Sequence, residues 1–144
     1  MAVTYTNNWK NIMLALKSKL RAEIKCPIFS GFDAVNKSNQ FIKLIPTGSS
    51  QIEKATFMES REFNIDIQYY MLRRNNAQFE DYVFNQVSIL EALVHDNIAL
   101  TLSDSTRAHN LSLETMELDV EEEDFEDYFI VQWALSLIYT RNQG

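Results

Sequence analysis

The sequence predicts an α+β fold: a mainly antiparallel sheet with two helices packed on one face, in the order α-β-β-β-α-β-β-β. Three observations carry this expectation. Two segments repeat apolar residues at helical spacing, near residues 8–24 and 76–95. Others alternate with a period of two, most cleanly over 62–71 and 128–139. The strands also fall in consecutive groups, which favours hairpins over parallel crossover units. With 144 residues and 46% hydrophobic content, the chain is expected to form a single domain, 1–144.

Each element has a local cause. In the first helix, Trp9, Ile12, Met13, Leu16, Leu20 and Ile24 share one face, and Asn7 or Asn8 caps the start. Lys10, Lys17, Arg21 and Lys25 fall on an adjoining face. Cys26-Pro27 stops the helix, because the residue before proline avoids the helical region. Ile28 and Phe29 suit a short strand, and residues 30–39 are rich in turn formers such as Gly31, Asp33, Asn36 and Asn39. A second strand runs over 40–45 and is expected to end at Pro46. A long polar loop or hairpin follows at about 47–60, carrying Ile52, Phe57 and Met58.

Phe63, Ile65, Ile67, Tyr69 and Met71 then alternate with Glu62, Asn64, Asp66, Gln68 and Tyr70, giving one buried and one mostly polar face. The second helix carries its stripe on Phe79, Val83, Gln86, Val87, Leu90, Leu93 and Val94, with Asn75 and Gln78 placed as a capping box. Ile98 to Leu102 reads as a short strand, and Asp104-Ser105-Thr106 as a turn. In the following strand Leu111 and Leu113 set one face, then Met116, Leu118 and Val120 set the other. This phase slip predicts a β-bulge near Glu114–Thr115. An acidic segment turns the chain into the last strand, which is apolar on both sides. Two helices cover only one face of such a sheet. The other is expected to meet either the 47–60 segment or a neighbouring subunit.

Charge excludes some functions. The net charge is −7, with 9 basic and 6 acidic groups in residues 1–72 against 4 basic and 14 acidic groups in 73–144. General nucleic-acid binding is disfavoured because phosphates are repelled. No apolar run is long enough to span a membrane as a helix, and residues 1–10 lack the apolar stretch of a signal peptide. The single Cys26 leaves no disulfide framework within one chain.

Chemistry-bearing motifs are missing. Three glycines, at 31, 48 and 144, make no phosphate cradle, and His95 and His109 stand apart without partners. The acidic run lacks the spacing and internal glycine of a calcium loop and reads as a solvated turn. A small metal-dependent nuclease is the enzyme alternative. Its carboxylates would be Asp66, Glu23 and Glu53, with Lys25 and Lys54 near the attacked phosphate and Arg73-Arg74 touching it. These acids share no spacing, so ordinary surface charge is the favoured reading. A soluble ligand-binding module is a third class. The basic stripe of the first helix suits nucleic acid, a membrane surface or a solvated face. The charge split suggests something more specific. The basic helix of one copy lies against the acidic turn of the next, a head-to-tail contact that closes into a ring.

In the order of its elements the chain resembles the tail terminator, or tail-completion, proteins of long-tailed bacteriophages. The resemblance rests on three features. They are a first helix of the type Trp9-Lys-Asn-Ile-Met-Leu-Ala-Leu, a strand like Arg61-Glu-Phe-Asn-Ile-Asp-Ile-Gln-Tyr-Tyr before a second helix, and a final pair, Leu113 to Val120 and Tyr128 to Tyr139, around an acidic turn. It spans the whole chain as a pattern, without a diagnostic motif. It implies a virion protein of the neck or tail, assembled in the host cytoplasm. Such a protein forms a homo-oligomeric ring, typically a hexamer, at the head-proximal end of the tail. There it stops tube growth and meets the tail tube protein and a head connector or stopper protein. DNA passes through without sequence-specific binding. No catalytic residue, cofactor or metal is implied. Other neck proteins, such as head-completion or tail-to-head adaptor proteins, share this architecture. Three residue groups are the candidate sites: Lys10, Lys17 and Arg21 for a subunit interface; Ile52, Phe57 and Met58 for docking to the tube or a neighbour; and Glu121, Glu122, Glu123, Asp124, Glu126 and Asp127 for an acidic rim or lumen.

Overall fold

A computed structural model describes residues 7–31, 37–55, 58–97, 99–102 and 106–142. Helix α1 (Asn8–Glu23) leads into β1 (Ile28–Ser30), β2 (Gln40–Lys54) and β3 (Met58–Leu72). Helix α2 (Phe79–Asp96) precedes β4 (Leu100–Thr101), β5 (Arg107–Glu117) and β6 (Tyr128–Asn142). The strands form one six-stranded sheet in the order β1-β2-β3-β6-β5-β4. Only the β1–β2 pair is parallel. The predicted fold class and element order are therefore observed. Phe57, Ile98, Asp33, Asn36, Asp104 and Ser105 lie outside the described residues.

The helices cover one face. Ile12, Leu16, Leu20 and Ile24 from α1, and Val83, Val87, Leu90, Leu93 and Val94 from α2, pack on Phe63, Ile65, Ile67, Tyr69 and Met71 of β3. The odd-numbered residues of β6, Val131 to Tyr139, complete this core. Trp133 is fully buried at its centre. Asn7 caps α1, accepting from the Lys10 amide at 3.1 Å. Lys25 lies past the end of α1 rather than on its basic stripe. Its Nζ donates to the carbonyl of Ala22 at 3.2 Å, satisfying the last turn. The expected Asn75–Gln78 capping box is replaced by Asn76, whose Oδ1 accepts from the Gln78 amide at 3.1 Å.

The segment read as a loop or hairpin at 47–60 is a hairpin, and β2 runs through Pro46 to Lys54. A proline ends a strand where its missing N–H is needed. Here β1 pairs with β2 only as far as Leu44, and the β2–β3 register shifts between Pro46 and Gly48. Ala55 and Met58 exchange backbone hydrogen bonds of 2.8 and 3.4 Å at the tip. β3 then pairs with β6 in an unbroken register, from Met58↔Asn142 to Leu72↔Tyr128. Three strands of 15 residues each extend for about 50 Å at the usual rise. Their upper part projects beyond α1, whose Trp9 meets Phe63 edge-on at 4.8 Å between ring centres.

The predicted bulge in β5 is present as a register shift between Leu113 and Thr115. A second shift, between His109 and Ser112, surrounds Asn110 at φ 55°. The strand stops at Glu117, short of Val120, and the chain turns at Asp119 with φ 56°.

Candidate functional site

Several candidate residues carry no convergent chemistry. Glu23 ends α1 on the helix side, Glu53 lies near the hairpin tip, and Asp66 lies on the helix-free face. The three nuclease carboxylates therefore do not meet. Among the described residues no three His, Cys, Asp or Glu side chains group as a metal site. Arg73 pairs with Asp119 and lies 5.5 Å from the centre of the Phe129 ring, so its cation holds the chain turn. Among the described residues no helix is long and apolar enough to cross a membrane. The functional content lies in three surfaces.

The first flanks α1. Trp9, Met13, Leu14 and Pro46 line a groove of about 720 Å³, with Lys10 and Lys17 on its rim. It opens where β1 has ended and β2 continues as an edge. Leu14 is 49% exposed, unusual for a leucine within a helix. Arg21 continues the same basic stripe and is exposed. The structure thus places Lys10 and Lys17 together beside apolar surface, a feature the spacing of the lysines alone does not reveal.

The second surface is the hairpin tip. Residues 51–55 and Met58 are all exposed, with Ile52 and Met58 at about half of their full accessibility. Ser60 and Thr140 bond through their hydroxyls at 2.7 Å beneath it. Apolar side chains at the end of a solvated arm suit docking.

The third is the acidic segment, and it answers what covers the helix-free face. Phe125, on a single 3-10 turn (Glu123–Phe125), packs over a second core of Phe41, Tyr70, Tyr128 and Ile130. Its ring centre lies 4.9 Å from Tyr70 and 5.9 Å from both Phe41 and Tyr128. Neither the 47–60 hairpin nor a second subunit is needed there. Tyr70, placed by alternation on the polar face, is fully buried beneath this cap. Its hydroxyl donates to Glu122 Oε2 at 2.5 Å, and burial with this bond raises its pKa. The Lys37 ammonium donates to the Asp124 carbonyl and lies 4.7 Å from the Phe125 ring centre. Glu121, Glu123, Asp124, Glu126 and Asp127 remain exposed around this anchor. An aromatic residue inside an acidic run is the sequence signal for such a cap.

Above this cap the helix-free face is polar. Gln68 Nε2 donates to Gln132 Oε1 at 2.8 Å, and Ser136 donates to Glu114 at 2.9 Å. Asp66 is shifted above the usual carboxylate range, first by burial and then by the charge of Glu117. Cys26 lies on the other side of the sheet. Burial pushes its thiol up to about 11, with a hydrogen bond to Gln40 opposing the shift.

No protein-family model matches the sequence, and no curated protein matches it. Solved structures do match. A chain from the virion of a native gene transfer agent particle superposes with a TM-score of 0.64 at 14% identity, covering 97% of this chain and 100% of that one. The sheath/tube terminator of an extracellular contractile injection system, in its extended state, superposes with a TM-score of 0.56 at 12% identity. That match covers 98% of this chain and 58% of the terminator. At these identities the likeness is one of fold alone, shared with a virion chain and with a sheath/tube terminator.

Proposed function

We propose that this chain is a virion structural protein of the tail-terminator type. It forms a ring at the head-proximal end of a tail, ends the growth of the tube and joins it to the head connector. The observation that carries the reading is the likeness to a virion chain over 97% of this chain and 100% of that one.

In this reading the α1 stripe of Lys10, Lys17 and Arg21 serves a subunit interface in a ring of six. The hairpin tip, with Ile52, Phe57 and Met58, docks on the tail tube. Glu121, Glu122, Glu123, Asp124, Glu126 and Asp127 form an acidic rim past which DNA slides. Like charges on such a wall keep DNA from adhering to it.

The test is to image particles assembled with and without this chain. With it, labelled protein marks the junction of head and tail, and tube lengths are uniform. Without it, tubes are overlong and headless. Normal tails in its absence, or label at the distal end, sink the reading. Ile52→Asp with Met58→Asp leaves the melting temperature within about 1 °C, since exposed positions contribute little, yet abolishes binding to purified tubes. Unchanged tube binding removes the hairpin from the proposal.

A further inference from the structure

Among the described residues two exposed helix stripes stand apart on the helix side of the sheet, one on α1, which touches both β1 and β4, and one on α2. On α1, Leu14 is 49% exposed, with Lys10 one turn before it and Lys17 one turn after it. That stripe borders the groove with Pro46, on the β1–β2 side. On α2, Phe84 is 47% exposed, with Glu80 one turn before it and Glu91 two turns after it. This stripe borders β5. Glu91 lines a cleft with Leu111 and Leu113, and its carboxylate accepts from Trp133 Nε1 at 3.3 Å. Trp133 is paired with Met116, so Met116 (40% exposed) lies on the same helix-side margin, and Leu118 (46%) follows it. Exposed apolar side chains gathered on one margin mark a candidate interaction surface.

We infer that the occupant of the α1 groove is the α2–β5 margin of a second copy of this chain. Each side presents an apolar centre bounded by charge of one sign, cationic on α1 and anionic on α2. Because charges flank both centres on both sides, the match holds for either relative direction of the two helices. The two are different patches, so the contact is head-to-tail and leaves a free copy of each patch at the ends of any open chain. The groove supplies the apolar centre of an interface and the lysines its polar rim.

This places the acidic turn outside the contact. Phe125 holds that turn over the helix-free face, whereas the α1 stripe lies on the helix side. In this proposal Glu80 and Glu91 stand where the charge split alone suggested the acidic turn.

The inference rests on the ring reading, and one experiment separates the two. In a Cys26→Ser background, copies carrying Leu14→Cys are mixed with copies carrying Phe84→Cys and mildly oxidised, with tail tubes present. The expected product is the mixed disulfide, at least about tenfold above either homodimer. A bridge from Leu14→Cys to Asp124→Cys instead overturns the inference in favour of the acidic turn. Rings seen by imaging without the Leu14–Phe84 bridge overturn the inference and leave the ring intact. Symmetric Leu14→Cys homodimers, or no assembly by any readout, overturn both. A charge swap guards against misfolding. Lys17→Glu and Glu80→Lys each weaken association about tenfold or more, and the double variant restores it. Failure of the swap to restore assembly counts against this pairing.

Discussion

Phe125→Ala tests whether the acidic segment is anchored or merely solvated. Truncating a buried phenylalanine costs about 3–5 kcal/mol. Phe125 is half-buried and caps a small cluster, so about half of that, ~2 kcal/mol, is expected. Its ring meets Tyr70 and Tyr128 edge-on, at 4.9 and 5.9 Å, and tilts against Phe41 at 5.9 Å. The Lys37 ammonium lies on its face at 4.7 Å. For a chain of 144 residues, each kcal/mol lowers the melting temperature by about 2–4 °C. The variant is therefore expected to melt about 4–8 °C below wild type by calorimetry. A Glu-specific protease should also cut within residues 117–127 well before the sheet unfolds. The matched control is Ile52→Ala, an exposed apolar residue on the hairpin arm, which should shift melting by about 1 °C or less. A Phe125→Ala shift no larger than the control, with the acidic segment still resistant to protease, refutes the account of the second core.

Two further expectations follow from shifted ionisations. Asp66 is raised by burial and by Glu117. The folded protein therefore binds more protons than the unfolded chain just above the ordinary carboxylate range, and stability falls as pH rises through the raised value. Asp66→Asn should match wild type in strong acid and become the more stable form at neutral pH, as read by denaturation midpoints across pH. An advantage of equal size at every pH contradicts this. The Cys26 thiol, moved from 9.0 to about 11, should hold roughly a hundredfold less thiolate at pH 8 than in the unfolded chain. Its reaction with an aromatic disulfide reagent should be slower by about that factor in native buffer than in denaturant. Equal rates remove the argument.

The helix stripes were legible because burial on one side of a helix leaves a fixed spacing. Ile12, Leu16 and Leu20 are buried as that spacing demands. The β5 bulge was legible because a single inserted residue inverts the apolar phase at Leu113. Other features depend on partners distant in sequence. Residues 47–55 carry no alternation, since both sides of that hairpin arm are wet, and they extend only because β3 and β6 continue alongside them. Phe125 sits among acids and reads as loop, because the aromatic residues it covers come from β2, β3 and β6. Tyr70 follows the polar parity of β3 and is buried for the same reason. The groove beside α1 was half legible. The lysine spacing showed in the sequence, but Pro46 joins it only through the register of β2.

The sheet edges limit how copies of this chain meet. β1 and β4 are short, so most of the outer backbone of β2 and β5 faces outward. Long flat edges of that kind accept any incoming strand and promote open-ended growth. Here both are irregular. β2 contains Pro46 and two register shifts, at Pro46/Gly48 and Gln51/Glu53. β5 contains two more, with Asn110 in a left-handed conformation inside the first. Bulges twist an edge and break its ladder of donors and acceptors. Strand addition is disfavoured on both sides. Association then falls to side chains, which specify one angle and one partner patch where a backbone ladder specifies neither. A fixed angle between different patches is the condition for closing a ring rather than extending a sheet. In the proposed ring the hairpin tip takes no part in closure, which leaves it for the proposed docking to a different protein.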